Sequence, residues 1–188
     1  MQRRAFLITG LAAGLSTTVR AAGAAQEGFT GVDRAGQVVQ FERQTAVFRR
    51  QVIANGYAGE WILYELVRPK SPVRFPAAAI PGFAVQPPSG ADPVKRYGLF
   101  RLETVGRTRR FVTGQGLAQG VGTRDLRERH RVALAASPYG GGYVRLDPAA
   151  PLLPGEYALT VAETLGTKMY ARGGIPGTHQ AVYAFGVD

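Results

Sequence analysis

The stretch Tyr143–Ala162, YVRLDPAAPLLPGEYALTVA, decides the fold because it spells two strands and the corner between them. In the first strand Val144 and Leu146 share one face while Tyr143, Arg145 and Asp147 share the other, the period-two alternation of a half-buried strand. Pro148 stops it. After a loop held by Pro151, Pro154-Gly155 puts proline and glycine at the two central positions of a type II turn, with Leu153 and Glu156 flanking it. A second strand begins at once, with Tyr157, Leu159 and Val161 expected inward and Glu156, Ala158 and Thr160 outward.

A proline-glycine corner followed by a tyrosine resembles the tyrosine corner of immunoglobulin-like sandwiches, in which the phenol bonds a backbone group just upstream and fixes the crossover. Tyr157 stands one residue closer to the corner than in the usual spacing. Pro154, Gly155 and Tyr157 are therefore a candidate structural corner, the alternative being that Tyr157 is simply a packed strand residue.

The segment Ala181–Val187 places Tyr183, Phe185 and Val187 on one side and the small Val182, Ala184 and Gly186 on the other, a split that suits a closing strand packed against a second layer. Upstream, a strand over His130–Ala136, with Val132 and Leu134 inward, turns through Pro138–Gly142 into the opening stretch, which predicts a three-strand meander. Tyr97–Glu103 and Arg107–Thr113 form a hairpin around Gly106, with Phe100, Leu102 and Phe111 inward and arginine-rich outward faces. Trp61–Val67, WILYELV, is nearly continuous apolar and predicts a central strand covered on both faces. Shorter strands are expected at Val38–Phe41 and Ala46–Ile53. Arg68–Pro93 holds seven of the twelve prolines and reads as a long connection with one brief strand near Phe83–Val85, since proline cannot serve a ladder interior. Gly114–Gly122 and Leu165–His179 read as glycine-rich loops.

With 25 glycines and 12 prolines spread over 188 residues and an apolar content of 45%, the chain reads as many short elements around one core. The expectation is all-β: a single immunoglobulin-like β-sandwich of about 7–9 antiparallel strands with long Pro/Gly-rich loops. The absence of cysteine excludes disulfides, thiolate metal sites, iron–sulfur clusters and cysteine nucleophiles.

Residues 1–25 read as a cleaved signal peptide: Arg3-Arg4, a mildly hydrophobic run from Ala5 to Val19, and small residues before a cut after Ala24 or Ala25. The order Arg3-Arg4-Ala5-Phe6-Leu7 resembles a twin-arginine signal, with an ordinary secretory signal as the alternative. The run falls short of the roughly 20 apolar residues a membrane span needs. Residues 26–188 are then the mature domain, exported to the periplasm or beyond and without a transmembrane span. Removing Arg3, Arg4 and Arg20 from 23 basic residues leaves 20 against 13 acidic, a net charge of +7. The polyanions met there are envelope lipids and polymers, so the partners expected are an envelope protein or an anionic envelope polymer, not nucleic acid.

SPVRF (Ser71–Phe75), PGF (Pro81–Phe83), ADP (Ala91–Pro93), LFRL (Leu99–Leu102), PGEYAL (Pro154–Leu159) and a terminal FGVD (Phe185–Asp188) follow one another along the mature chain. In that order they resemble a loose group of uncharacterised exported bacterial β-sandwich proteins, PGEYAL and FGVD being the distinctive pieces. The resemblance implies fold and export, and brings no catalytic or ligand-binding residues.

No constellation in the sequence carries chemistry well. Gly114-x-Gly116-x-x-x-Gly120 follows a strand as a phosphate loop would, but Gly120 and Gly122 would break the helix that must come next. His130 and His179 lack zinc-ligand spacing. Ser137, His130 and Asp147 are triad residue types without a nucleophile elbow. No catalytic residue, metal site or cofactor is expected. The better feature is arginine: Arg101, Arg107, Arg109 and Arg110 on the hairpin, then Arg124, Arg127, Arg129 and Arg131, a candidate anion-binding face that could hold phosphates or carboxylates, or else a solvated sheet edge. The functional expectation is an exported, non-catalytic envelope protein, structural or partner-binding. A binder of anionic polymer or lipid through the arginines is the alternative, and an uncharacterised hydrolase the third reading.

Overall fold

The computed structural model describes residues 29–33, 35–52, 59–116, 123–165 and 179–188. The expected signal peptide, the start of the mature chain through residue 28, Ile53, the part of the first glycine-rich loop that holds Gly120 and Gly122, and residues 166–178 of the second lie outside the described residues.

In chain order the strands are β1 Thr30–Val32, β2 Val38–Val39, β3 Glu42–Val52, β4 Glu60–Val67, β5 Arg74–Phe75, β6 Gly82–Val85, β7 Tyr97–Val105, β8 Thr108–Gly116, β9 Thr123–Asp125, β10 Arg131–Val132, β11 Leu134–Gly140, β12 Tyr143–Pro148, β13 Gly155–Val161 and β14 His179–Val187. Two four-residue helices, α1 Pro93–Arg96 and α2 Arg127–His130, are interposed. Asp92 caps α1, its carboxylate accepting from the Val94 and Lys95 amides.

Six of the strands form a ring. β13 pairs with β14 and β7, β14 continues to β3, β3 to β4 and β4 to β8, and β8 returns to β7 through the hairpin at Gly106. Every long pairing is antiparallel; two-residue β5 runs parallel to the end of β14. The ring's interior takes large side chains from one half and small ones from the other: Tyr64, Phe100 and Phe111 face Ala46, Ala158 and Ala184. Phe111 stacks on both Phe100 (5.0 Å) and Tyr64 (5.6 Å). Such large-against-small filling is how a narrow barrel excludes voids.

The remaining long strands make a second sheet in the order β11-β12-β6-β1-β2. It lies over the outer face of β7, β13 and β14, and Phe41, Phe83, Val85 and Leu146 meet Tyr157, Leu159 and Phe185 between the layers. Phe185 is central, with ring contacts to Phe41, Phe75, Phe83 and Tyr157 at 5.4–5.9 Å. Burying a side chain of this size is worth about 1.5–3 kcal/mol.

The all-β, antiparallel expectation therefore stands, but the finer architecture differs. Fourteen strands are formed among the described residues, and the larger sheet closes on itself because β8 has partners on both sides, β4 and β7. An open immunoglobulin-like sandwich leaves such edges unjoined. Closure also corrects the outward set of β13: Glu156, Ala158 and Thr160 are buried, since they point into the barrel. Nor is the predicted meander one sheet. β11 and β12 form a hairpin in the smaller sheet, while β10 and β13 both pair with β7 in the barrel. The corner after β12 is thus a crossover between layers.

Candidate functional site

β7 and β8 carry the first four candidate arginines, and strand alternation sends them to different places. Arg109 shares its face with Phe111 and lies inside the barrel, fully buried. Arg101 donates to the Pro154 carbonyl at 3.2 Å and Arg110 to Gln51 Oε1 at 2.8 Å. Of the second group, Arg127 is paired with Asp125 at 2.6 Å, and Arg131 with Glu128 at 3.1 Å and with the Val94 and Tyr97 carbonyls. The side chains of Arg107, Arg124 and Arg129 are exposed and make no hydrogen bond or ion pair among the described residues. Arg107 is at the hairpin tip, whereas Arg124 pairs with Gln115 near the far end of β8, roughly 24 Å of strand away. The eight arginines therefore do not converge on one open face.

The buried arginine belongs instead to a charge network that closes one end of the barrel. Arg109 Nη2 donates to Glu42 at 2.9 Å, Nη1 to Glu156 at 3.0 Å, and Nε to the Arg68 carbonyl at 3.1 Å. Arg74 adds a second guanidinium, reaching Glu156 at 2.6 Å and the Asp188 side chain at 2.6 Å. The Ser71 amide donates to Glu156 at 2.7 Å. Gly186 makes the arrangement possible, because a Cβ there would collide with the Arg74 guanidinium and the Glu156 carboxylate. Residues of SPVRF, PGEYAL and FGVD, remote in sequence, thus meet at one place.

Electrostatics follow from this geometry. Burial pushes the Glu42 carboxyl up, but hydrogen bonds from Ser71, Arg109 and Gln44 outweigh it and hold the group below its ordinary range. Bonds to Asp188 and then Glu156 raise Arg74 above the usual arginine value, and Arg74 in turn lowers Asp188. Glu42 is thus held charged by fixed donors, which suits it to fastening strands together and not to trading protons near neutrality.

At the corner, the Tyr157 hydroxyl donates to the Leu153 carbonyl at 2.7 Å. Burial raises its pKa, so the phenol stays protonated and able to donate. Gly155 has φ 156°, far from the roughly 80° of a type II turn, and is already paired with Val187 as the first residue of β13. The turn type is corrected, while the demand for glycine persists because side chains avoid that backbone region.

The weaker constellations come apart. Ser137 and Asp147 lie in the smaller sheet, whereas His130 ends α2 against the barrel. Gly114 and Gly116 are strand residues paired with β4 and β9, not a phosphate loop. His179 is exposed at the start of β14. Among the described residues no cluster of three or more potential metal ligands occurs, and no helix is long and apolar enough to cross a membrane.

One surface feature that the sequence did not announce is a groove of about 500 Å³, with Ala77, Ala78 and Ile80 on one side, Pro148–Leu152 on the other, and the Arg145–Asp147 ion pair lining it. The buried network was also missed. The available signal was parity: Arg109 alternates in phase with Phe111, Glu156 with Ala158, and Glu42 with Ala46. No family model, curated protein or solved structure matches this chain.

Proposed function

We propose that this chain is an exported, non-catalytic envelope protein that holds a partner on a rigid β scaffold. The observation that supports this reading is where the charged groups go. Arg74, Arg109, Glu42, Glu156 and Asp188 fasten the barrel end to one another, and the groove between residues 77–80 and 148–152 is instead mainly apolar, lined by alanine, proline, isoleucine and leucine side chains. A fixed frame with an apolar groove suits recognition of another molecule's surface. Export rests on the N-terminal segment read above, with the twin-arginine route as the proposal and periplasm or exterior as the place.

Two measurements test the reading. Fractionation of cells making the full chain should find a shortened protein outside the cytoplasmic membrane, and Arg3→Lys with Arg4→Lys should retain it inside. A photo-crosslinker in place of Ala78 or Ala150 should capture one envelope component, while the same probe at Arg107 captures none. Retention on anionic vesicles at low salt that is lost on Arg107→Glu with Arg124→Glu would favour the polyanion binder instead. Turnover of ester, peptide or phosphoester substrates by pure protein would end the non-catalytic reading.

A further inference from the structure

The β7–β8 hairpin does not stay zipped. The two strands pair over Glu103–Val105 and Thr108–Arg110 only; beyond that point β7 pairs with β10 and β8 with β9. The strap Thr123–Val132, made of β9, α2 and β10, spans the resulting seam, anchored on β8 by the Leu126 amide donating to the Thr113 carbonyl at 3.0 Å and on β7 by the Arg131–Phe100 pairing. The seam it covers leads to the Phe100–Phe111 stack inside the barrel.

His130 is the last residue of α2 and its side chain is only 9% exposed. It lies against a cross-strand pair that is itself loosely closed: Glu103 is 3.9 Å from His130 Nε2 and 3.7 Å from Arg110 Nε. Both nitrogens are buried without a hydrogen-bond partner. The strap and the two strands that it joins carry Glu103 on β7, Arg110 on β8, Asp125 on β9, Arg127, Glu128 and Arg129 on α2, and Arg131 on β10, and of these Glu103 and Arg129 act on the imidazole. Four are positive and three negative, and Asp125 and Glu128 are already engaged by Arg127 and Arg131. A proton added to His130 would thus charge a ring that is mostly buried and feels Arg129, while the nearest carboxylate, Glu103 at 3.9 Å, is too far to accept its hydrogen bond.

We propose that the Thr123–Val132 strap is an acid-released closure of the barrel seam, with His130 as its trigger. Burial lowers the His130 pKa, Glu103 offsets this in part, and Arg129 adds to it. The sign follows. A histidine whose folded pKa lies below the ordinary 6.5 contributes its full stability above that value, and the contribution is lost as pH falls below it. Neutral imidazole keeps the strap down, and imidazolium lifts it, exposing apolar side chains that are otherwise enclosed.

Hydrogen exchange of the full mature protein, corrected for intrinsic rates and compared at about pH 7.5 and about pH 5, reads the strap directly because carboxylates with ordinary pKa values stay mostly ionised across that window. Peptides covering Thr123–Val132 should lose about tenfold in protection while those covering β13 and β14 keep theirs. His130→Gln should remove the difference between the two pH values. In an NMR titration His130 should titrate below 6.5. Strap protection that is unchanged or higher in acid, an equal loss in His130→Gln, or a His130 pKa at or above 6.5 would each overturn the proposal. The wild-type titration decides the matter even if the variant does not fold.

Discussion

Replacing Arg109 with methionine keeps a flexible stem of similar girth and deletes only the guanidinium, so the loss isolates the charge. In the wild type that guanidinium is wholly buried and bonded to Glu42 and Glu156, whose side chains are 9% and 6% exposed. The two carboxylates then fare differently. Glu156 keeps Arg74 at 2.6 Å and the Ser71 amide at 2.7 Å, whereas Glu42 keeps only the neutral donors Ser71 and Gln44, with its nearest remaining cation, Arg68, at 4.0 Å. Removing one partner of a buried pair costs about 3–5 kcal/mol because a charge is stranded. At about 2–4 °C per kcal/mol for a domain of this size, the midpoint should fall by about 6–20 °C in calorimetry. The pH dependence should reverse as well: the stranded Glu42 is stabilised by a proton, so Arg109→Met should gain stability relative to wild type as pH falls from 7 towards 5. Adding Glu42→Leu should recover most of the loss, since apolar replacement of a buried pair is often neutral or better. A single mutant within about 0.5 kcal/mol of wild type, or a double mutant no better than the single, would refute the reasoning.

Tyr157→Phe should cost about 0.5–1.5 kcal/mol in urea unfolding, the usual worth of one hydrogen bond, here that to the Leu153 carbonyl at 2.7 Å. Gly155→Val should cost about 1–3 kcal/mol, because φ 156° is a region that side chains avoid; an unchanged melting temperature would mean that the backbone relaxes freely. Gly186→Ala should lower the melting temperature by displacing the Arg74 guanidinium, and Arg74→Met combined with it should add little further. In the wild type the folded carboxyls of Glu42 and Asp188 lie below their ordinary values of 4.5 and 3.8, so their stabilisation is complete above those values and is lost as pH falls through the folded pKa; Glu42→Gln should flatten this acid limb of the melting curve.

Strand positions were legible because alternation and turn chemistry are local. Trp61–Val67 does run in mid-sheet, between β3 and β8, and Gly106 does turn the hairpin with φ 58°. Tyr183, Phe185 and Val187 do face the second layer while Val182 and Ala184 face the barrel. What alternation cannot tell is which of two buried surroundings a face meets. Glu156, Ala158 and Thr160 looked outward because one is charged and the others are small, yet in a narrow barrel smallness marks the face opposite the aromatics, and a charge is tolerated where a partner is supplied. Arg109 was misplaced for the same reason. Its partners Glu42 and Glu156 come from strands 67 and 47 residues away, and nothing near Arg109 in the chain names them. The apolar groove was illegible too, since it arises from two loops brought side by side by the crossover.

β14 is flanked by β13, its predecessor in the chain, and by β3, more than 130 residues earlier. During synthesis the first five staves of the ring can emerge, the β7–β8 hairpin can zip, and β13 can pair with β7 and β3 with β4, but no strand links β13 to β3 until β14 has been made. Until then Phe41, Phe83 and Tyr157 have no Phe185 to close on, and their ribbon edges are open to other nascent chains. Long-range closure of this kind is slow relative to hairpin formation. The ring is therefore sealed by its latest stave, and a ribosome that stalls before that stave releases a sticky, unsealed ribbon.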